Sequence, residues 1–310
     1  MRDSRKVVYA GLATNIAIAL SKLVLAAATG SSAMLAEGLH SIVDTGNSLL
    51  LLLGMHRSRR PPHPLHPFGH GLELYFWSFV VAVSMFAVGG VLSIWEGVSH
   101  LLRPQSLNHS MWDYVVLGVS IAISCVSLVI AMREINRRKG DAGIVEFIRR
   151  SKDPTVFTVV LEDASDIIGA AIAMLSIFLS MEFRNPRLDA AGSILVGFVI
   201  LAVSFVLANE SRELLLGEAA PARDVERMKQ LLASDPGVER VGDLLTMQLG
   251  PNEVLLNVEI DFKSHHAIED LERTIDRLES SIREHYPEVR RLYIEAESLQ
   301  EHDGNIRKAS

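Results

Sequence analysis

Six stretches of this chain are apolar enough and long enough to cross a bilayer's hydrocarbon core, roughly 30 Å thick and needing about 20 residues of helix. They lie near residues 7–28, 33–56, 73–101, 112–132, 154–181 and 188–210. Water is absent from that layer, so each must satisfy its own backbone groups as a helix. A short hairpin from Thr29 to Ser32 joins the first two, Arg103-Pro104 ends the third, and Asn185-Pro186 parts the last pair. One side of the bundle collects thirteen basic residues: Arg2, Arg5 and Lys6, then Arg57, Arg59 and Arg60, then seven between Arg133 and Lys152. The other side has three, Arg103, Arg184 and Arg187. Positive charge gathers on the cytoplasmic side, so both termini are expected there. The first apolar run is too long for a signal peptide, and a second follows at once, so it is read as a span.

The chain is 49% hydrophobic yet 22% charged, which calls for apolar spans in one part and a water-soluble part elsewhere. From about Gly217 the pattern changes. Val225, Met228, Leu231 and Leu232 line one helical face, and Val254, Leu256, Val258, Ile260 and Phe262 alternate as a strand after another near 239–249. Ile268, Leu271, Ile275, Leu278 and Ile282 mark a second helix; Val289, Leu292 and Ile294 mark a last strand. The expected fold is an α-helical polytopic membrane protein with a C-terminal cytoplasmic α+β, ferredoxin-like domain of order αββαβ. Its divisions are residues 1–212, 213–300 and a polar, disordered tail at 301–310. The net charge of −7 argues against a nucleic-acid partner, and the lone Cys125 excludes an intrachain disulfide framework.

Charge inside the membrane is the chemical signal. The second span carries Glu37, His40, Asp44 and Asn47, spaced three, four and three apart on one helical face. The fifth carries Glu162, Asp163 and Asp166. Taken singly, such groups often bond one helix to the next. Six ionisable groups on two spans at matching depth point instead to a bound ion. Ligands four residues apart stand about 6 Å apart along the axis, from the 1.5 Å rise per residue. Two such pairs, His40 with Asp44 and Glu162 with Asp166, can enclose a tetrahedral cation such as Zn2+. Metal entry must then expel protons, the physical basis of an antiporter. Lys22 is a candidate to offset the excess negative charge.

Residues Ser32 to Glu37, His40 to Asp44, Arg60-Pro61-Pro62 and His66-Pro67-Phe68-Gly69-His70-Gly71 resemble the cation diffusion facilitator family, the ZnT-type exporters of zinc and other divalent metals. The resemblance covers essentially the whole chain. It implies a homodimer that exchanges metal for protons by alternating access, with His40 and Asp44, Glu162 and Asp166 at the ligand positions. Zinc-moving members usually carry histidine where this chain has Glu162. The harder donor set brings Cd2+, Mn2+, Fe2+ and Co2+ into range beside zinc. Leu161-Glu162-Asp163 is similar to a divergent branch in which the fifth-span site is altered. The soluble domain of metal-sensing members ligates ions at positions held here by Gly242, Val258, Ile294 and Ala296, none of which can ligate through a side chain. Dimerisation is therefore its expected role.

The loop after the second span holds His63, His66 and His70, a spacing that can fold round one ion. The resemblance implies a second, cytoplasmic metal at His66 and His70, with His63 in place of an aspartate. The alternative is an exposed loop stiffened by Pro61, Pro62, Pro64 and Pro67. Glu37, Asn47, Asp163 and Asn15 are candidates for the pathway and for proton coupling. Glu73 and Glu96 read as interfacial or interhelical partners, Trp77, Trp95 and Trp112 as interface anchors, His265 and His266 as surface groups. The rivals are an intramembrane metalloenzyme and a non-transporting scaffold. Both ligand pairs are consumed by the ion and no separate nucleophile is near, so the chain is not read as an enzyme. The expected location is the bacterial cytoplasmic membrane, with lipid, metal ions and protons as partners.

Overall fold

The computed structural model describes residues 12–13, 15–21, 23–24, 27, 32–103, 111–138, 152–263 and 268–296, excluding the side chains of 32–40, 43, 112 and 138. Expectations for Lys22, His265, His266, the tail, and the side chains of Glu37, His40 and Trp112 lie outside the described residues. The chain divides into two compact units, Met1–Arg212 and Glu213–Ser310.

Among the described residues, the long elements of the first unit are all helices. The described residues between 12 and 27 are helical (α1) and are followed by α2, Ser32–Arg57. Next come α3, Glu73–Leu102, α4, Met111–Arg138, α5, Pro154–Glu182, and α6, Arg187–Leu215, which runs into the second unit. Four of these, α3 to α6, are long and apolar enough to cross a membrane. Helix α2 has the length, at 26 residues, but His40, Asp44 and Asn47 dilute its apolar run.

The bundle buries hydroxyls among its apolar core side chains and turns an apolar surface outward. Ser78, Ser124, Thr158, Ser165, Ser180 and Ser204 are among its buried residues. Phe76, Phe86, Val126, Phe178, Phe198 and Phe205 are among those it exposes. A soluble bundle would aggregate through such a surface; in lipid it is the matched face. Several of the buried hydroxyls turn back on their own helices: Ser78 Oγ donates to the Leu74 carbonyl at 2.9 Å, Ser165 Oγ to that of Glu162 at 2.8 Å and Ser204 Oγ to that of Leu201 at 3.0 Å. Asp153 caps α5 by accepting from the Thr155 amide at 3.2 Å, with Pro154 at the first helical position.

The sequence gives no sign of one feature, a π-helical stretch at Met85–Val91 in the middle of α3. From Gly90 of this stretch onward α3 meets α6 through glycines. A Cβ on Gly97 would lie 2.9 Å from the Ala190 carbonyl oxygen, and one on Gly197 would lie 3.0 Å from that of Gly90. Only glycine permits this approach at all three positions.

The second unit contains α7, Ala222–Ala233, β1, Val238–Gly250, β2, Glu253–Phe262, α8, Ile268–His285, and β3, Val289–Ala296. Strand β2 is central, antiparallel to β1 and parallel to β3. Alternation along β2 sends Val254, Leu256, Val258 and Ile260 into a core completed by Met228 and Leu232 of α7 and Leu278 and Ile282 of α8. The helices cover one face of the sheet. Order and apolar pattern agree with the αββαβ expectation.

Candidate metal centre

Asp44 and Asn47 leave α2 one turn apart, and Glu162, Ser165 and Asp166 leave α5 over the same height. All five bound a hollow of about 10 Å³, with Met85 and Gly89 of α3 and Ile200 of α6. That is the room of a single water. Glu162 is buried and lies within electrostatic reach of Asp44, Asp166 and Asp163. Its Oε1 makes no hydrogen bond, nor does the buried Asn47 Nδ2. Asn47 and Glu162 face each other there with no well-formed bond between them, which leaves a place for water or an ion to join them. Three carboxylates there carry −3 when ionised, and only protons or a cation can offset that in lipid.

A larger cavity of about 100 Å³ continues from Asp44, Ser165 and Asp166. It follows α4 from Ser124 through Ser120 to Leu117, and α5 from Ser165 to Ala173. Those directions lead to the end of the bundle where α4 begins and α5 finishes. There Tyr114 Oη donates to Met181 Sδ at 3.5 Å. Asn15 of α1 lines this cavity and also bonds α2, donating to Ser48 Oγ at 3.2 Å and to the Asp44 carbonyl at 3.4 Å. The opposite end is filled by apolar side chains, among them Leu51, Val81, Phe157, Val160 and Leu207.

Of the residues singled out in the sequence, Asp44, Asn47, Glu162, Asp166 and Asn15 therefore meet at connected cavities. Asp163 does not line either one; it is buried towards Ser127 of α4. The sequence reading omitted Ser120, Ser124 and Ser165. The first two stand four apart in an apolar span and were legible as a polar stripe. Met85 carried no such signal.

The loop histidines form a separate cluster. The ligating nitrogens of His63, His66 and His70 lie within 4.8 Å of one another. A small antiparallel bridge sets the first two, with His66 N donating to the His63 carbonyl at 2.8 Å and the reverse bond at 3.2 Å. Gly69, at φ +90°, then turns the chain so that His70 comes back to within 4.4 Å of the His66 ring. His63 Nε2 and His66 Nδ1 are 3.1 Å apart, and the enclosed His70 Nε2 makes no hydrogen bond. Burial first, then the neighbouring His66 and His63, holds His70 below its ordinary pKa of 6.5. It is thus neutral near pH 7, the form that ligates metal. The loop's two ends are tied together. Glu73 Oε2 accepts from Trp77 Nε1 at 2.8 Å and lies 3.8 Å from Arg57 Nη1, whose guanidinium sits 5.5 Å over the Trp77 ring.

A helical membrane unit with carboxylates at its centre, followed by a small sheet domain, defines an integral membrane protein built to handle cations. Residues 8–216 match the cation efflux transmembrane domain, and residues 220–299 match the cation efflux protein cytoplasmic domain, a dimerisation domain. The chain belongs to the cation efflux family, whose members are transporters and not enzymes. It is 30% identical over 334 residues to the proton-coupled zinc antiporter SLC30A9, mitochondrial, of Xenopus laevis, covering 95% of this chain and 60% of that protein. The human protein of that name is 34% identical over 236 residues, covering 76% of this chain and 42% of the relative. The cation-efflux pump FieF of Escherichia coli O127:H6 is 26% identical over 260 residues, covering 84% and 81%. The chain thus spans about half the length of the SLC30A9 relatives.

Proposed function

We propose that this chain exports a divalent metal ion, zinc foremost, in exchange for protons by alternating access. The reading is carried by one observation: carboxylates of α2 and α5 bound a water-sized hollow inside a bundle with an apolar exterior. His40, Asp44, Glu162 and Asp166 are the proposed ligands, with Asn47, Asn15, Asp163 and Glu37 assigned to the pathway and proton coupling. Protons on the carboxylates and the ion exclude one another by charge, which couples the two fluxes. The relatives support the reading: SLC30A9 is named a proton-coupled zinc antiporter and FieF a cation-efflux pump. Glu162 makes the donor set harder than two nitrogens and two oxygens, which keeps Cd2+, Mn2+, Fe2+ and Co2+ as secondary cargo.

We further assign six spans with both termini in the cytoplasm, from the distribution of loop charge. Residues 1–212 form the transport unit, 213–300 a dimerising unit and 301–310 a tail; the functional assembly is a homodimer. In this orientation the polar cavity leads away from the cytoplasm while apolar side chains close the cytoplasmic side, so the conformation is the one that releases metal outward. The His63, His66 and His70 cluster is a second, cytoplasmic site that tunes activity. The assigned compartment is the bacterial cytoplasmic membrane; the mitochondrial location is that of the SLC30A9 relatives.

Proteoliposomes loaded with a pH dye test the proposal. A zinc gradient should drive protons the opposite way in the wild type and fail to do so in Asp44→Ala. Proton movement by Asp44→Ala equal to wild type removes the buried site from the mechanism.

A further inference from the structure

Met85 is the sulfur-bearing residue in the wall of the central hollow. It belongs at once to the buried apolar cluster that closes one end of the bundle and to the ring formed by Asp44, Asn47, Glu162 and Asp166. A hollow of about 10 Å³ leaves room for a single small occupant, so whatever the carboxylates hold also meets the other groups that bound the space. Met85 opens the π-helical stretch Met85–Val91, where the hydrogen-bond ladder of α3 takes an extra residue. Such insertions rotate the preceding turn against the following one and occur often at functional sites. The residues after it are fixed to α6 by close glycine contacts, and those before it are fixed to α2, where a Cβ on Gly54 would lie 2.9 Å from Trp77 Cβ. The π turn therefore sets which side chain α3 offers to the hollow.

Resting on the buried-site reading above, we infer that Met85 is a specificity-determining residue whose thioether contacts the transported ion. Oxygen donors alone favour hard cations such as Mn2+; a polarisable thioether favours Zn2+ and above all the softer Cd2+. Met85 thus offsets the hardness that Glu162 brings to the donor set.

Methionine to leucine is close to volume-conserving in a packed core, so Met85→Leu removes the sulfur and keeps the filling. All variants are made as full-length chain in a Cys125→Ser background, so that no thiol competes for the metal. Proteoliposome uptake of Cd2+ and Mn2+ is measured for the background, Met85→Leu and Asp44→Ala, and cadmium X-ray absorption is recorded on loaded protein. The Cd2+ to Mn2+ uptake ratio should fall about tenfold in Met85→Leu, on the scale of metal-site perturbations. The sulfur scatterer seen in the background should vanish with it. An unchanged ratio with no sulfur scatterer in the background, while Asp44→Ala is silent, overturns the role of Met85 and leaves the buried site standing. Uptake by Asp44→Ala equal to the background removes the buried site and this inference together.

Discussion

The central hollow and the histidine loop are built in opposite ways. The hollow draws its lining from four helices far apart in sequence, encloses it in apolar packing and is rich in carboxylate oxygens. The loop draws three nitrogens from eight consecutive residues, places them at the surface and holds them by local turns. Ionised carboxylates cannot stay in lipid without compensation, so the hollow has to hold protons or a cation, which is the basis of the proposed exchange. Imidazoles at a wet surface can stay empty with no buried charge to offset. The first arrangement suits obligatory cargo, the second an adjustable ion.

The comparison is broken most severely at Asp44. Asp44→Ala should lower metal-driven proton flux by at least about 100-fold, since losing a direct ligand exceeds the 10–100-fold cost of losing a ligand's supporting partner. Flux in pH-dye proteoliposomes reads this out, and a loss of only a few-fold would put the hollow on the level of the loop. Next comes Glu162→His, which exchanges an oxygen for a nitrogen. It should raise the zinc to manganese uptake ratio by about tenfold, measured by competitive uptake. His66→Ala should weaken metal binding at the loop by about 10-fold or more while flux changes only a few-fold. Calorimetry in an Asp44→Ala background isolates that site.

The smallest effect concerns pH. Burial and the two neighbouring rings hold His70 below 6.5, so its neutral form persists somewhat further into acid than that of a free histidine. A depressed base ligates fully above its ordinary value and loses the metal as pH falls through its own lower one. Zinc affinity of the loop should hold near neutral pH and decline as the pH falls below the ordinary histidine value of 6.5, followed by calorimetry in the same background. Affinity that rises on acidification would overturn the histidine assignment.

Much of this protein was legible as text. Continuous apolar runs can be little else than membrane helices, and strict alternation along Val254 to Ile260 can be little else than a half-buried strand. Asp44 and Asn47, and Glu162 and Asp166, stood out because ionisable and amide groups inside apolar runs are costly there. The serines were less visible. A hydroxyl can satisfy itself on its own helix, so Ser120 and Ser124 show only through their spacing of four, without the burial cost that marks a carboxylate.

The sequence by itself determined which segments are helix or strand, which faces are apolar and which side chains are chemically out of place. Those follow from local periodicity and the cost of burying charge. Only the tertiary structure decided that Asp44, Glu162 and Asp166 share one hollow, that Asp163 turns away towards Ser127, and that a π turn in α3 brings Met85 to the wall. It also decided that β3 adds beside β2 in parallel. Pairings between distant segments depend on how helices and strands meet in space, and one extra residue in a hydrogen-bond ladder leaves no trace in an apolar run.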